Sequence, residues 1–264
     1  DTGDCRYFFA YNPCMTRPEL TPGDILYCDE KVLIVNKPAG VPVHGSRMLE
    51  GRPDTLLAMA RSATGRVVHA AHRLDRPVSG ALLLAFDRDT LAALSLAFEQ
   101  RRVEKRYLAV VRGWTEGQGV IDHPLRPPRD ERRTNDEARD ARTRFRRMAA
   151  VELPFAVPPY ATARYSLVEL QPETGRRHQL RRHMKHISHH LLGDTTYGKG
   201  EHNRLFRDEF ACERLLLHSR SLAFEHPLSG QGLTITAPLD GAFRKIADLF
   251  RDTAEDFNAW DTGG

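Results

Sequence analysis

The sequence predicts an α+β fold with a mixed, largely antiparallel sheet flanked by helices and loops. Three observations predict it. Apolar runs of strand length recur along the chain, and Ala81 to Phe86 is the longest of them. Segments with apolar residues at helical spacing lie between some of these runs. The two kinds do not follow the regular strand–helix–strand alternation of a parallel sheet, and no internal repeat or low-complexity segment is present.

Taken in order, residues 1–24 hold Pro13, Pro18 and Pro22 and read as an extension lying on the core. Ile25 to Val35 reads as two short strands turned at Asp29-Glu30. Asn36-Lys37-Pro38-Ala39-Gly40-Val41-Pro42 is a loop, because Pro and Gly interrupt it. Thr55 to Ala63 predicts a short helix, and Val67 to Ala70 and Ala81 to Phe86 predict strands. Asp89 is the expected N-cap of a helix from Thr90 to Arg101, with Leu91, Leu94 and Phe98 on its apolar stripe. Val103 to Val111 switches to a period of two, with Tyr107, Ala109 and Val111 on one face. Gly113 to Ala149 is charged and contains Pro124, Pro127 and Pro128, so it is expected to be an insertion or long loop. Ala161 to Leu170 predicts a strand. Thr174 to His189 predicts a helix with Leu180, Met184 and Ile187 as its core stripe. Strands over Leu215 to Phe224 and Leu233 to Ala237, and a helix over Gly241 to Phe257, complete the expected order.

A length of 264 residues with 41% hydrophobic content suits one large domain or two small ones. No run approaches the roughly 20 apolar residues of a membrane span. The first residues lack the basic and apolar regions of a secretory signal, so a cytoplasmic protein is expected. Lys and Arg total 39 against 35 acidic residues, and Arg supplies 33 of the 39. Residues 101–147 carry 14 basic residues against 8 acidic. Guanidinium groups bind phosphate bidentately and stack on bases, so this bias points to nucleic acid, while arginine-rich codon usage explains it equally well. Cys5, Cys14, Cys28 and Cys212 form no C-x-x-C pair and are expected to be free thiols.

Two segments stand out chemically. In His72-Arg73-Leu74-Asp75-Arg76-Pro77-Val78-Ser79-Gly80, one carboxylate sits between two arginines on a loop between apolar strands. A carboxylate in that setting stays ionised, as a nucleophile must, although surface turns hold such charges too. In Glu173 to His183 and the residues just after it, Arg177, Arg181 and Lys185 recur every four positions, so one helix face is basic, either as an anion clamp or as a solvated face. His178, His183, His186, His189 and His190 crowd the same helix, but H-E-x-x-H is absent and no Asp or Glu lies between Glu173 and Asp194. Metal binding is therefore not expected, and these histidines are read as lining an RNA-facing or capping surface. Gly193 to Gly200 fits no phosphate-loop or dinucleotide pattern, so it reads as an ordered loop, with Asn203 and Arg204 near a ligand.

Taken together, these segments resemble the motifs of RluA-type pseudouridine synthases. His72-Arg73-Leu74-Asp75 with Ser79-Gly80 resembles the signature, Lys105-Arg106-Tyr107 the second motif, and Thr174-Gly175-Arg176-Arg177-His178-Gln179-Leu180-Arg181 the third. Asn36-Lys37-Pro38-Ala39-Gly40 with Val43-His44, and Leu215-Leu216-Leu217-His218, fit in order and spacing, so the likeness covers about residues 24–240. Val110-Val111-Arg112-Gly113-Trp114, Gly193-Asp194 and His202-Asn203-Arg204 are similar to the branch of that family acting on uridine 65 of tRNA.

The resemblance implies a pseudouridine synthase fold around a central catalytic cleft, with a catalytic domain over 25–257 between an N-terminal extension, 1–24, and a C-terminal tail, 258–264. It implies an isomerase without cofactor or metal, acting as a monomer on tRNA or another structured RNA and not on membranes. Asp75 would be the essential carboxylate, attacking C1′ or abstracting a sugar proton to give a glycal; the sequence leaves both open. Tyr107 would stack on the uracil and Arg181 would pair with Asp75. His72, Arg73, Arg176 and Leu217 would bind substrate, Arg73 filling the space of the flipped nucleotide and Leu217 giving an apolar wall. The basic helix and the stretch from Arg126 to Arg147 would grip phosphates. The alternatives are a large-subunit rRNA synthase of the same family, a non-catalytic RNA-binding protein and a histidine-ligated metal hydrolase.

Overall fold

A computed structural model describes residues 19–45, 55–127 and 137–254. The strands are β1 (Ile25–Cys28), β2 (Val32–Lys37), β3 (His69–Ala70), β4 (Ser79–Ala85), β5 (Glu104–Arg112), β6 (Gln118–Asp122), β7 (Arg142–Leu153), β8 (Ala163–Pro172), β9 (Leu217–Glu225) and β10 (Gly232–Thr236). The helices are α1 (Leu56–Thr64), α2 (Arg88–Glu99), α3 (Gln179–His186), α4 (Gly200–Phe210) and α5 (Gly241–Ala247). The fold is α+β, as the sequence predicts. The chain forms two compact units, one from residues 1–103 and 221–238, the other from 104–220 and 239–264.

In the first unit β2 pairs antiparallel with β1 and β4, β3 pairs with β4, and β10 pairs with β9. Every residue of β4 is buried, which is why Ser79–Ala85 reads as a nearly unbroken apolar run rather than an alternating one. The core gathers Val32, Ile34, Ala81 and Leu83 with Leu94 of α2, and with Leu222 and Phe224 from far along the chain. Thr55 caps α1 through the Ala58 amide, and Gly65 ends it in the left-handed region. The cap of α2 is Asp87, not Asp89: its carboxylate accepts from both the amide and the hydroxyl of Thr90, so the helix starts two residues earlier than expected. The strand expected over Val67 to Ala70 shrinks to His69–Ala70, and Val67 is exposed.

In the second unit the antiparallel order is β6-β7-β8-β5. The segment from Gly113 to Ala149 is therefore not a long loop, because its described part builds β6 and most of β7. Its strand character was hidden because one face is arginine: in β7, Arg142, Arg144 and Arg146 point one way and Thr143 and Phe145 the other. Residues 128–136 of the expected insertion lie outside the described residues, as do Cys5 and Cys14. Tyr165, Leu167, Phe206, Phe243 and Phe250 fill the core. Helix α4 was not expected, although Phe206 and Phe210 repeat at four-residue spacing. The terminal helix is shorter than expected, with α5 capped by Asp240 and followed by a 3-10 segment over Asp248–Thr253. Cys28 and Cys212 are free thiols. Among the described residues no helix is long and apolar enough to cross a membrane.

Candidate active site

In the first unit, the loop carrying Asp75 is held by a buried lysine. Lys37, at the end of β2, is 0% exposed. Its Nζ donates to the carbonyls of Pro38 and Val41, each at 2.7 Å, and of Arg76 at 3.1 Å. Burying an ammonium is costly unless its donors are used, and these bonds use them. Gly40 and Arg76 add a second clasp. The Gly40 amide donates to the Arg76 carbonyl at 2.9 Å, and Arg76 Nε donates to the Gly40 carbonyl at 2.8 Å. The Asn36 amide anchors the start of the loop to the Pro238 carbonyl. The N-K-P-A-G motif thus clamps the turn that follows Asp75, and the Val78 amide closes that turn on the Asp75 carbonyl. Asp75 itself is half-buried and Arg73 is exposed. Burial, and then the charge of Arg73, lower the pKa of His44. His72 Nε2 accepts from the Leu83 amide at 3.1 Å, and its ring lies 4.8 Å from that of Phe98, so this histidine ties the loop to β4.

In the second unit, Tyr107 is 8% exposed on β5. The register places Tyr107, Leu170 and Phe145 side by side, on the same sheet face as Thr143. Helix α3 docks on that face. Gln179, its first residue, is buried. Its Oε1 accepts from the Thr174 hydroxyl and the Arg176 amide, and its Nε2 donates to the Arg142 carbonyl and the Thr143 hydroxyl. Thr174 accepts in turn from the Arg142 amide. This latch holds residues 174–178 as a loop, His178 turns left-handed at φ 55, and the helix starts at Gln179 rather than at Thr174. The histidine surface is corrected too: His183 is 0% exposed, bonded to the Thr143 hydroxyl at 2.9 Å and the His123 carbonyl at 3.0 Å. Burial, with positive neighbours, lowers its pKa. His186 instead stacks on His123, with ring centroids 3.7 Å apart.

Arg181 is not part of a solvated face. It is 5% exposed and held by Asp194, with Nε to Oδ2 and Nη2 to Oδ1 both at 2.8 Å. Its Cζ lies 5.1 Å from the Tyr197 ring centroid. Asp194 Oδ1 also accepts from the Thr196 and Tyr197 amides at 2.9 Å. Burial opposes ionisation of Asp194, but the guanidinium and the two amides outweigh it and hold the carboxyl below the usual range. Asn203 clamps this loop rather than lying in it: its Oδ1 accepts from the Gly193 amide and its Nδ2 donates to the Asp194 carbonyl. Arg176 is half-buried and donates from Nε to the Asp140 carbonyl. Leu217 is 3% exposed at the start of β9.

The arginines of β7 have another environment. Glu173 pairs with both Arg142 and Arg144, and Glu169 with both Arg146 and Arg106. They lie on the face of the sheet opposite to Thr143 and Tyr107. Among the described residues no group of three or more His, Cys, Asp or Glu is placed to hold a metal ion.

Sequence reasoning singled out Asp75, Tyr107 and Arg181 but did not single out the groups that hold their segments. Lys37 was visible only as a motif letter. Asp194 carried a readable signal, because it is the only acidic residue between Glu173 and Glu201 in a strongly basic stretch.

The family of RNA pseudouridylate synthases matches residues 31–186, and the chain belongs to it. Proteins called tRNA pseudouridine synthase C are similar over most of the chain. That of Vibrio cholerae serotype O1 is 43% identical over 232 residues, covering 86% of this chain and 95% of its own. That of Haemophilus ducreyi is 44% identical, covering 86% and 95%. Among solved structures, Human RNA Pseudouridylate Synthase Domain Containing 4 matches with a TM-score of 0.63 and 26% identity, covering 86% of this chain and 92% of that one. The fold and the family are therefore those of isomerases that convert uridine to pseudouridine in RNA.

Proposed function

We propose that the chain isomerises uridine 65 of tRNA to pseudouridine, with Asp75 as the catalytic carboxylate. The observation that carries the substrate is the 43% identity over 95% of a Vibrio cholerae protein called tRNA pseudouridine synthase C. The reaction breaks the N1–C1′ bond, turns the uracil and joins C5 to C1′, so atoms balance without hydrolysis or redox change. Asp75 faces the sugar carbon where positive charge develops, either as nucleophile or as base. Tyr107 offers a flat face on which the detached uracil turns, a stack worth about 1–3 kcal/mol. Arg181 supplies a positive charge of fixed direction that acts on the reacting groups. Arg73 occupies the gap left by the everted nucleotide, Leu217 excludes water, and His72 and Arg176 shape the loops that meet the RNA. Phosphates bind along α3, where Arg182 and Lys185 follow a carboxylate-poor stretch. The protein acts as a cytoplasmic monomer.

The test is an Asp75→Asn variant assayed by tritium release from 5-tritiated tRNA and by mapping of nucleotide 65. Turnover is expected to fall by at least about 10³-fold with tRNA affinity retained. Turnover near that of the parent would remove Asp75 from its role, and pseudouridine appearing only in rRNA would replace the substrate.

A further inference from the structure

We infer that Asp194 is a positioning residue for the reaction, and that the loop from Gly193 to Gly198 exists to aim the Arg181 guanidinium. The inference rests on the role proposed above for Arg181 and goes beyond it. A guanidinium on a long flexible stem has many rotamers, and a cation that acts on a reacting group must hold one. Here a buried carboxylate takes two of its nitrogens in parallel, which fixes the plane of the group as well as its position.

The carboxylate is fixed in turn. Two backbone amides, of Thr196 and Tyr197, donate to Oδ1. The Gly198 amide and the Asn203 side chain donate to the Asp194 carbonyl, and the Asn203 oxygen holds the preceding Gly193 amide. Two glycines allow this close approach. Gly193 has φ +73, and a Cβ there would collide with the Arg214 carbonyl; a Cβ on Gly198 would collide with the Asp194 carbonyl itself. The Tyr197 ring, anchored by its hydroxyl to His178 Nδ1 at 3.0 Å, closes the cage beside the guanidinium. A buried ion pair needs its remaining lone pairs bonded in any case, so the effect on rate is read separately from the effect on stability.

The experiment uses single-turnover rates on tRNA, filter-binding affinity and a thermal melt for each variant. Asp194→Asn keeps an oxygen for the two amides but loses the charge and one acceptor for the fork. Its rate is expected to fall about 10²-fold, the scale of a misaimed group, with affinity unchanged within about 3-fold. In an Arg181→Lys background the same change should add less than about 3-fold, because Asp194 acts through that guanidinium. A rate within about 3-fold of the parent, or losses that multiply in the double variant, overturns the inference. Should Asp194→Asn fail to fold, Asn203→Ala removes only the outer clamp, and a rate equal to the parent's overturns the inference equally. Arg181→Lys with full activity would instead overturn the role of Arg181; impaired Arg181→Lys beside fully active Asp194→Asn would overturn only the aiming role.

Discussion

Lys37 and Arg181 are both buried cations, yet their hydrogen bonds go to different acceptors, backbone carbonyls for the first and a carboxylate for the second. Three carbonyl oxygens converge on the Lys37 Nζ, so its hydrogen bonds tie two loop segments together. Arg181 is met by a carboxylate, so its charge is balanced and its orientation is fixed. The first arrangement suits a structural hub, since three carbonyls from two loop segments converge on one point. The second suits a group whose direction matters. The arginines of β7 form a third case: exposed pairs sharing glutamates, which neutralise charge with little gain in stability.

The strongest way to break this comparison is Lys37→Met, which keeps the volume and removes every donor. Carbonyls of Pro38, Val41 and Arg76 then lose a partner in the interior, and a loss of at least about 3 kcal/mol is expected in urea denaturation. A loss under about 1 kcal/mol would mean that the carbonyls find other donors and that the hub is not structural.

Acid separates the regions next. Burial lowers the pKa of His183, so the folded state resists a proton that the unfolded chain accepts near pH 6.5. Stability therefore falls as pH drops below about 6.5, and it is unaffected above that value. His202, pushed down to about 4 by burial, adds to the same loss. His183→Gln should show a smaller difference in denaturation midpoint between pH 7.5 and 5.5 than the parent; an equal difference would place the titration elsewhere.

The smallest effect concerns the two arginine-bearing faces. Arg144→Ala with Arg146→Ala should change stability by no more than about 1 kcal/mol and leave the salt dependence of tRNA binding intact. Arg182→Ala with Lys185→Ala should reduce that salt slope by about 2, one per lost phosphate contact. The reverse pattern would make the β7 face the RNA surface.

Much of this was legible in the residues. The hairpin turned at Asp29-Glu30, the helix expected from Thr55 and the buried run of β4 are local signals, and each lies within two residues of its expected bounds. What was not legible depended on tertiary partners. Three outward arginines made β7 look like a loop until Glu169 and Glu173 came alongside. The start of α3 depended on Gln179 finding Arg142 and Thr143, some 36 residues earlier in the chain. Arg181 stayed open between an anion clamp and a solvated face because its partner Asp194 lies 13 residues further on, beyond any helix-face argument.

The first unit takes Leu222, Phe224 and Ala237 into its core, with the span 104–220 intervening. During synthesis the early strands must wait, with part of their apolar surface uncovered, until more than a hundred further residues have left the ribosome. That makes the nascent chain, rather than the finished enzyme, the stage most exposed to aggregation.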